Sequence, residues 1–293
     1  MIRTAWRTAI LCAAVAAVAL TMPIASARAA RPAPISGIEN AQLLGTLVLQ
    51  GKLFHVQGVD LDSRHIWVTS VDIGKRRGYL HEFDRTTGAF VRQVELTDGA
   101  RYHPGGFSIA DDAIWVPVAE YHAHSSAVLM EIDPETLQIR RKIRVPDHLG
   151  CVAVSGSSLV AGNWDSKRLY LIDLTGGTPM QIVRNPSATH YQDMKFVDGQ
   201  LVAGGLRTRH SGTIDWIDFP SLKLVRTLRS GATERARSHS HARPYTGEGM
   251  TLQGRELYLL PEDGPSRLFH FRLGNSPESS ADRPAATATL TAG

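Results

Sequence analysis

Five times along the 293-residue chain a small or turn-forming residue opens a short apolar strand, and successive openings lie 48, 44, 43 and 56 residues apart. The openings are Gly58 in QGVDL, Gly106 in GGFSI, Gly150 in GCVAV, Asp193 in QDMKF and Gly249 in EGMTL. A second apolar strand ending in a polar turn follows each: HIWVTSVD, AIWVPVAE, SLVAGNWD, QLVAGGLR and ELYLLPED. A third strand closes on an aspartate in four units, placing Asp84, Asp133, Asp173 and Asp218 26, 27, 23 and 25 residues past their openings. The same four units add a fourth strand across a Gly- or Pro-bearing turn: AFVRQVEL, QIRRKIRV, PMQIV and KLVRTL. Four short strands per unit at a near-constant period predict an all-β fold, a β-propeller, with no amphipathic helix of useful length in the mature chain. A β-sandwich is the alternative, but sandwich strands seldom repeat in fours at constant offset. The aspartates are read as turn caps accepting backbone N–H bonds, with no chemistry assigned to them.

The fifth unit has only three strands before the polar GNSPESSADRPAATATLTAG. The missing one is found at the other end, where AQLLGTLVLQG (41–51) reads as an outermost strand ahead of the first unit. Pairing the two ends predicts a ring of five blades over residues 36–275, followed by a flexible tail, 276–293. Closure hides edges that would otherwise template association, so a monomer is expected.

Residues 1–29 stand apart: Arg3 and Arg7 precede an apolar run from Ala9 to about Leu20, and small residues follow in IASARAA. This is the pattern of a secretory signal peptide cleaved after Ala27 or Ala29, which predicts a periplasmic or extracellular protein with no membrane insertion after cleavage. The leader holds Arg3, Arg7 and Arg28, so the mature chain sets 29 basic against 28 acidic residues. Such a balance gives no bulk attraction to phosphate backbones, and no nucleic-acid partner is expected. Only Cys151 remains of the two cysteines, which excludes an intrachain disulfide.

In a blade the loop entering the innermost strand and the loop joining the second strand to the third share one face of the disc. His55, His103, His148 and His190 precede their openings by 3, 3, 2 and 3 residues, so they are expected around one mouth of a central channel, with Gln57, Gln192 and Glu248. The second-to-third loops bring Asp72, Glu120, His122, His124, Asp165 and Glu262 or Asp263 to the same rim. Neutral imidazoles with a carboxylate suit a divalent metal such as Zn, Cu, Fe or Ni, with the four histidines as ligands. An open coordination position would let Glu248 accept a proton from bound water. A polar ligand pocket, with the imidazoles bonded to neighbouring loops, explains the same pattern. Cys151 beside His148 has the makings of a nucleophile and equally of a small packing residue. HAH at 122–124 and HSH at 239–241 have the period-2 spacing of paired ligands. The basic stretch 229–244 reads as a loop, with a lid or partner contact as the functional alternative.

At FHVQGVDL followed by YLHEFDRTTGAFVRQVEL the sequence resembles the glutamine cyclotransferase-like five-bladed propellers. Their blades carry Phe-Thr-Gln-Gly-Leu before a similar strand and an Asp-x-x-Thr-Gly turn. YTGEGMTL resembles that family's Gly-Glu-Gly strand opening. The resemblance implies that Gln57 and Glu248 line a pocket and that Glu248 transfers a proton as an N-terminal glutamine cyclises. Here the Gly-Glu-Gly element sits in the last blade, where that family has it early, and the histidines have no counterpart in it. The whole chain resembles uncharacterised secreted bacterial propellers of the same superfamily, which implies a fold and no reaction. The reading from sequence is thus an exported propeller whose His-rich axial pocket binds a small polar ligand or a divalent metal. Gln57, Gln192, Asp72, Glu120, Asp165 and Glu262 are its ligand contacts. The alternatives are an enzyme acting through that pocket, as a metal-assisted hydrolase or lyase or a cyclotransferase, and a protein-interaction scaffold.

Overall fold

Between the outer and middle strands of each repeat the burial changes in a way that only radial sheets explain. In the computed structural model, which describes residues 35–233, 243–264 and 266–275, HIWVTSVD buries six consecutive residues between two half-buried ends. The outer FVRQVE alternates between exposed and half-buried instead. A middle strand packs against a neighbouring blade on both faces and is buried along its length, whereas an outer strand has one wet side.

Five antiparallel sheets result. Blade 1 runs outward through β2 (His55–Leu61), β3 (His65–Asp72), β4 (Arg77–Asp84) and β5 (Phe90–Glu95). Blade 2 has a broken inner strand, β6 (His103–Pro104) and β7 (Ser108–Ala110), then β8 (Ala113–Ala119), β9 (Ala127–Ile132) and β10 (Ile139–Val145). Blade 3 comprises β11 (Leu149–Ser155), β12 (Ser158–Asn163), β13 (Arg168–Asp173) and β14 (Gln181–Arg184). Blade 4 comprises β15 (His190–Val197), β16 (Gln200–Thr208), β17 (Ser211–Asp218) and β18 (Leu224–Ser230). Blade 5 takes β19 (Gly249–Gln253), β20 (Glu256–Leu260) and β21 (Arg267–Leu273), and its outer strand is β1 (Ala41–Val48), antiparallel to β21 from Ala41 opposite Leu273 to Val48 opposite Arg267. The protein is therefore the predicted five-bladed propeller, closed by its N-terminal strand. The proposed leader, the HSH pair and the tail 276–293 lie outside the described residues.

The core is divided among the interfaces between blades. Trp67 and Leu80 of blade 1 meet Ile114 and Met130 of blade 2, and Val202 and Ile214 of blade 4 meet Leu257 and Phe271 of blade 5. Comparable clusters fill the other three interfaces. The aspartate column caps turns: Asp84 accepts from the Thr87 amide (2.8 Å) and hydroxyl (2.7 Å), Asp133 from the Thr136 amide (2.8 Å), and Asp173 from the Thr175 amide (2.9 Å).

The axis is closed at the level of the opening residues, which corrects the expectation of a central channel. A β-carbon on Gly105 would stand 2.0 Å from the Gly150 carbonyl oxygen, and one on Gly106 2.3 Å from that of Gln192. The Gly106 amide donates to Gly150 O (2.9 Å) and its carbonyl accepts from Val152 N (3.0 Å), so blade 2 leaves its own sheet there to bond blade 3. Asp193 closes the rest. Its carboxylate accepts from the amides of Val59 in blade 1 (3.1 Å), Met250 in blade 5 (3.0 Å) and Met194 (2.9 Å), and from Lys195 Nζ (2.5 Å). Lys195 in turn donates to Phe107 O of blade 2 (2.5 Å). The glycines recur because inner strands meet here backbone to backbone.

Candidate functional site

Immediately before the axial plug the inner strands bulge. The β2/β3 register slips between Val56 and Gly58, leaving Gln57 extra, and the β15/β16 register slips between Tyr191 and Asp193, leaving Gln192 extra. In blade 3 the slip falls between Leu149 and Cys151. The residue equivalent to Gly58 and Asp193 is therefore Cys151, not Gly150, as its parallel bridge with Gly106 also shows. His148 then precedes its opening by three residues, like the other three histidines. A bulge sets two residues against one and re-aims what precedes it, so three residues, or about 10 Å of strand, lift each histidine above the plug.

Two of the four imidazoles come together. His103 is 7% exposed and His148 1%, with ring centroids 5.4 Å apart. His148 Nδ1 is fixed by the Glu120 carbonyl (2.8 Å), while His103 stacks on Tyr121 at 4.4 Å. Burial lowers the pKa of both, that of His148 to about 4, so both rings are uncharged at neutral pH. His55 is half-buried, and its charge is felt at His103. His190 departs from the ring. Strand alternation turns Tyr191 inward, where its hydroxyl donates to Asp215 (2.8 Å), and sends His190 out to a groove of about 920 Å³ that also holds Asp165.

His55 faces the carboxylates of blade 5. Its Nδ1 lies 2.8 Å from Glu262 Oε1, off the direction of an aligned ring N–H bond, and donor atoms of His55, Glu248 and Glu262 all fall within 4.8 Å of one another. Burial raises Glu248 to about 8, and Glu262 adds to the rise against the pull of His55 and Arg243. Burial depresses His55, but the Glu262 contact and the two carboxylate charges outweigh it and leave its pKa raised. Tyr121 also titrates high, from burial first and then from the fields of Glu248 and Glu262. One imidazole and two carboxylates within reach of one another form a donor set that fits a divalent cation, whose charge would relieve the carboxylates' mutual repulsion.

The remaining predicted contacts serve their own loops. Asp72 caps the Lys75 amide (3.1 Å), Glu120 accepts from Ser126 Oγ (2.6 Å), and Asp165 pairs with Lys167 (2.7 Å). Asp263 is held by Arg267 (2.6 Å). Gln57 is buried against its own strand, its amide donating to Val56 O (3.0 Å), and Gln192 is half-buried at the matching bulge. His124 has a positive φ of 53°, so HAH is not the extended segment that would align its imidazoles. Burial pushes the Cys151 thiol up to about 12, which leaves it a packing residue. Sequence reasoning missed Tyr121 and Trp164. Both stand on second-to-third loops, Trp164 with its ring edge against His148 at 4.5 Å and 6.3 Å from Tyr121, and that loop position was the signal available.

Residues 47–227 match a family of unknown function (DUF6454). The chain belongs to that family. As an uncharacterised propeller family, DUF6454 agrees with the kinship read from the sequence. The matched stretch carries His55, His103, His148 and Trp164, while Glu248 and Glu262 lie beyond it. Among solved structures this DUF6454 chain is similar to "The crystal structure of BamB from Moraxella catarrhalis", at 13% identity over 78% of this chain and 61% of that one, with a TM-score of 0.39. The chain thus spans less than two thirds of that structure. No curated protein matches.

Proposed function

We propose that this DUF6454 protein is exported and binds a divalent metal ion through His55, Glu248 and Glu262, using the ion to hold a small ligand on the face of the disc where the inner strands begin. The observation that carries this reading is the convergence of the three donors within 4.8 Å from two different blades. Imidazole nitrogen with carboxylate oxygen suits Zn, Mn or Fe, and three protein donors leave positions open for a ligand. The charged and apolar pattern of residues 1–29 supports export. Chelated mature protein, begun at residue 30, is expected to bind close to one equivalent of zinc or manganese by calorimetry. Glu262→Gln should lose about a hundredfold or more in affinity, beyond the 10–100-fold typical of losing an outer partner. Absence of stoichiometric binding by any first-row divalent ion overturns the reading.

A second reading makes the same site an enzyme's, with Glu248 moving a proton. It is favoured by a carboxyl within reach of both an imidazole and a second carboxylate, an arrangement suited to general acid and base roles. Cyclisation of a peptide with N-terminal glutamine by the wild type but not by Glu248→Gln supports it, and an inert wild type rejects that reaction.

A further inference from the structure

On the face of the disc that carries the proposed metal site, the second-to-third loops of blades 2 and 3 present aromatic rings that the fold does not use up. Trp164 is 42% exposed although its ring touches buried His148, and Tyr121 next to it is half-buried. Beneath Tyr121, His103 makes no hydrogen bond through either ring nitrogen among the described residues, and its Nδ1 is fully buried. A buried polar atom left unpaired costs free energy, and such an atom beside an open face calls for a partner from outside the fold, a water, an ion or a ligand group. With the ion in place the two carboxylates are neutralised, and Arg243, 3.7 Å from Glu262 Oε2, leaves the centre attractive to an anion.

Resting on the metal reading, we propose that the ligand is a flat aromatic acid. Its carboxylate meets the ion, its ring lies on the face made by Tyr121 and Trp164, and a polar substituent takes the hydrogen bond left open by His103 Nε2, the ring nitrogen that is not fully buried. Benzoate and cyclohexanecarboxylate have the same charge, donor atoms and carbon count, and differ in presenting a π-face. Calorimetry on zinc-loaded protein should show benzoate bound about two- to tenfold more tightly, the range expected of an aromatic contact beyond its buried area. Trp164→Ala should bring the two acids to parity and Trp164→Phe should retain most of the preference. Trp164 is exposed, so these variants keep the fold, which circular dichroism checks.

Parity of the two acids on the wild type overturns the inference, as does a preference that survives in both Trp164→Ala and Tyr121→Leu. Choline is the third probe, because aromatic faces beside carboxylates also suit quaternary ammonium ions. If it binds metal-free protein more tightly than benzoate binds the loaded form, the acid assignment falls. Zinc affinity is measured on every variant. Zinc binding with parity defeats this inference alone, and a benzoate preference without zinc binding defeats the metal reading together with the ion's part in holding the carboxylate, leaving only the aromatic contact.

Discussion

Asp193 stands where the other blades open on glycine or cysteine, and its carboxylate has four N–H donors from three blades. Burial raises its pKa to about 6 against the pull of Lys195, so at neutral pH it is a carboxylate, the form that four donors demand. Asp193→Ala leaves Lys195 charged and buried, and is expected to cost on the order of 3–5 kcal/mol in urea unfolding, with part regained in Asp193→Ala/Lys195→Met. His81 behaves oppositely with pH. It is fully buried, with Nε2 2.7 Å from Ser70 Oγ, and burial lowers its pKa to about 4 despite help from Gln93. An unfolded histidine takes up its proton near 6.5 and the folded one near 4, so the unfolded state binds more protons between those values. Stability should therefore fall as pH drops from 6.5 to 4, by on the order of 3 kcal/mol in full, and level off below. His81→Gln should lessen the slope by its own share, leaving the shares of buried His103 and His148, in denaturant titrations at stepped pH.

At the scale of strands, the bulges decide which side chains reach the site. Deleting Gln57 removes the bulge and its added twist while leaving Val56 opposite Ser70 and His55 opposite Val71, so both keep their faces of the sheet. The deletion is therefore expected to weaken metal binding less than His55→Ala does, with circular dichroism still reporting the sheet. The four-strand units and the aspartate turns were legible in sequence because period-2 apolar runs and turn residues act locally, through burial on a pleated surface. The bulges were not legible, because a single extra residue leaves the pattern intact and shifts only the alignment; taking Gly150 for the opening of blade 3 hid Cys151 and set His148 one residue off. His190 was misplaced for a related reason, since its direction depends on which neighbour, here Tyr191, finds a buried partner. Tyr121 and Trp164 were overlooked because nothing local distinguishes an aromatic residue in a surface turn from one that leans over a site. Glu248 and Glu262 were on the expected face, but only the packing of blade 5 against blade 1 brings them within reach of His55.

For the molecule as a whole, the decisive contact is β1 against β21, seven paired positions joining the two ends of the chain. A chain begun after Val48 leaves β21 as a bare edge flanked by polar and apolar side chains, and is expected to elute as larger species than a chain that keeps β1. The three donors of the proposed ion site are shared between the blade that begins the ring and the blade that ends it. An ion there would act as a clasp on the join, resisting the one opening motion that separates first blade from last. Saturating zinc should then slow amide exchange along β1 and β21 while barely touching β12 and β13 on the far side of the disc.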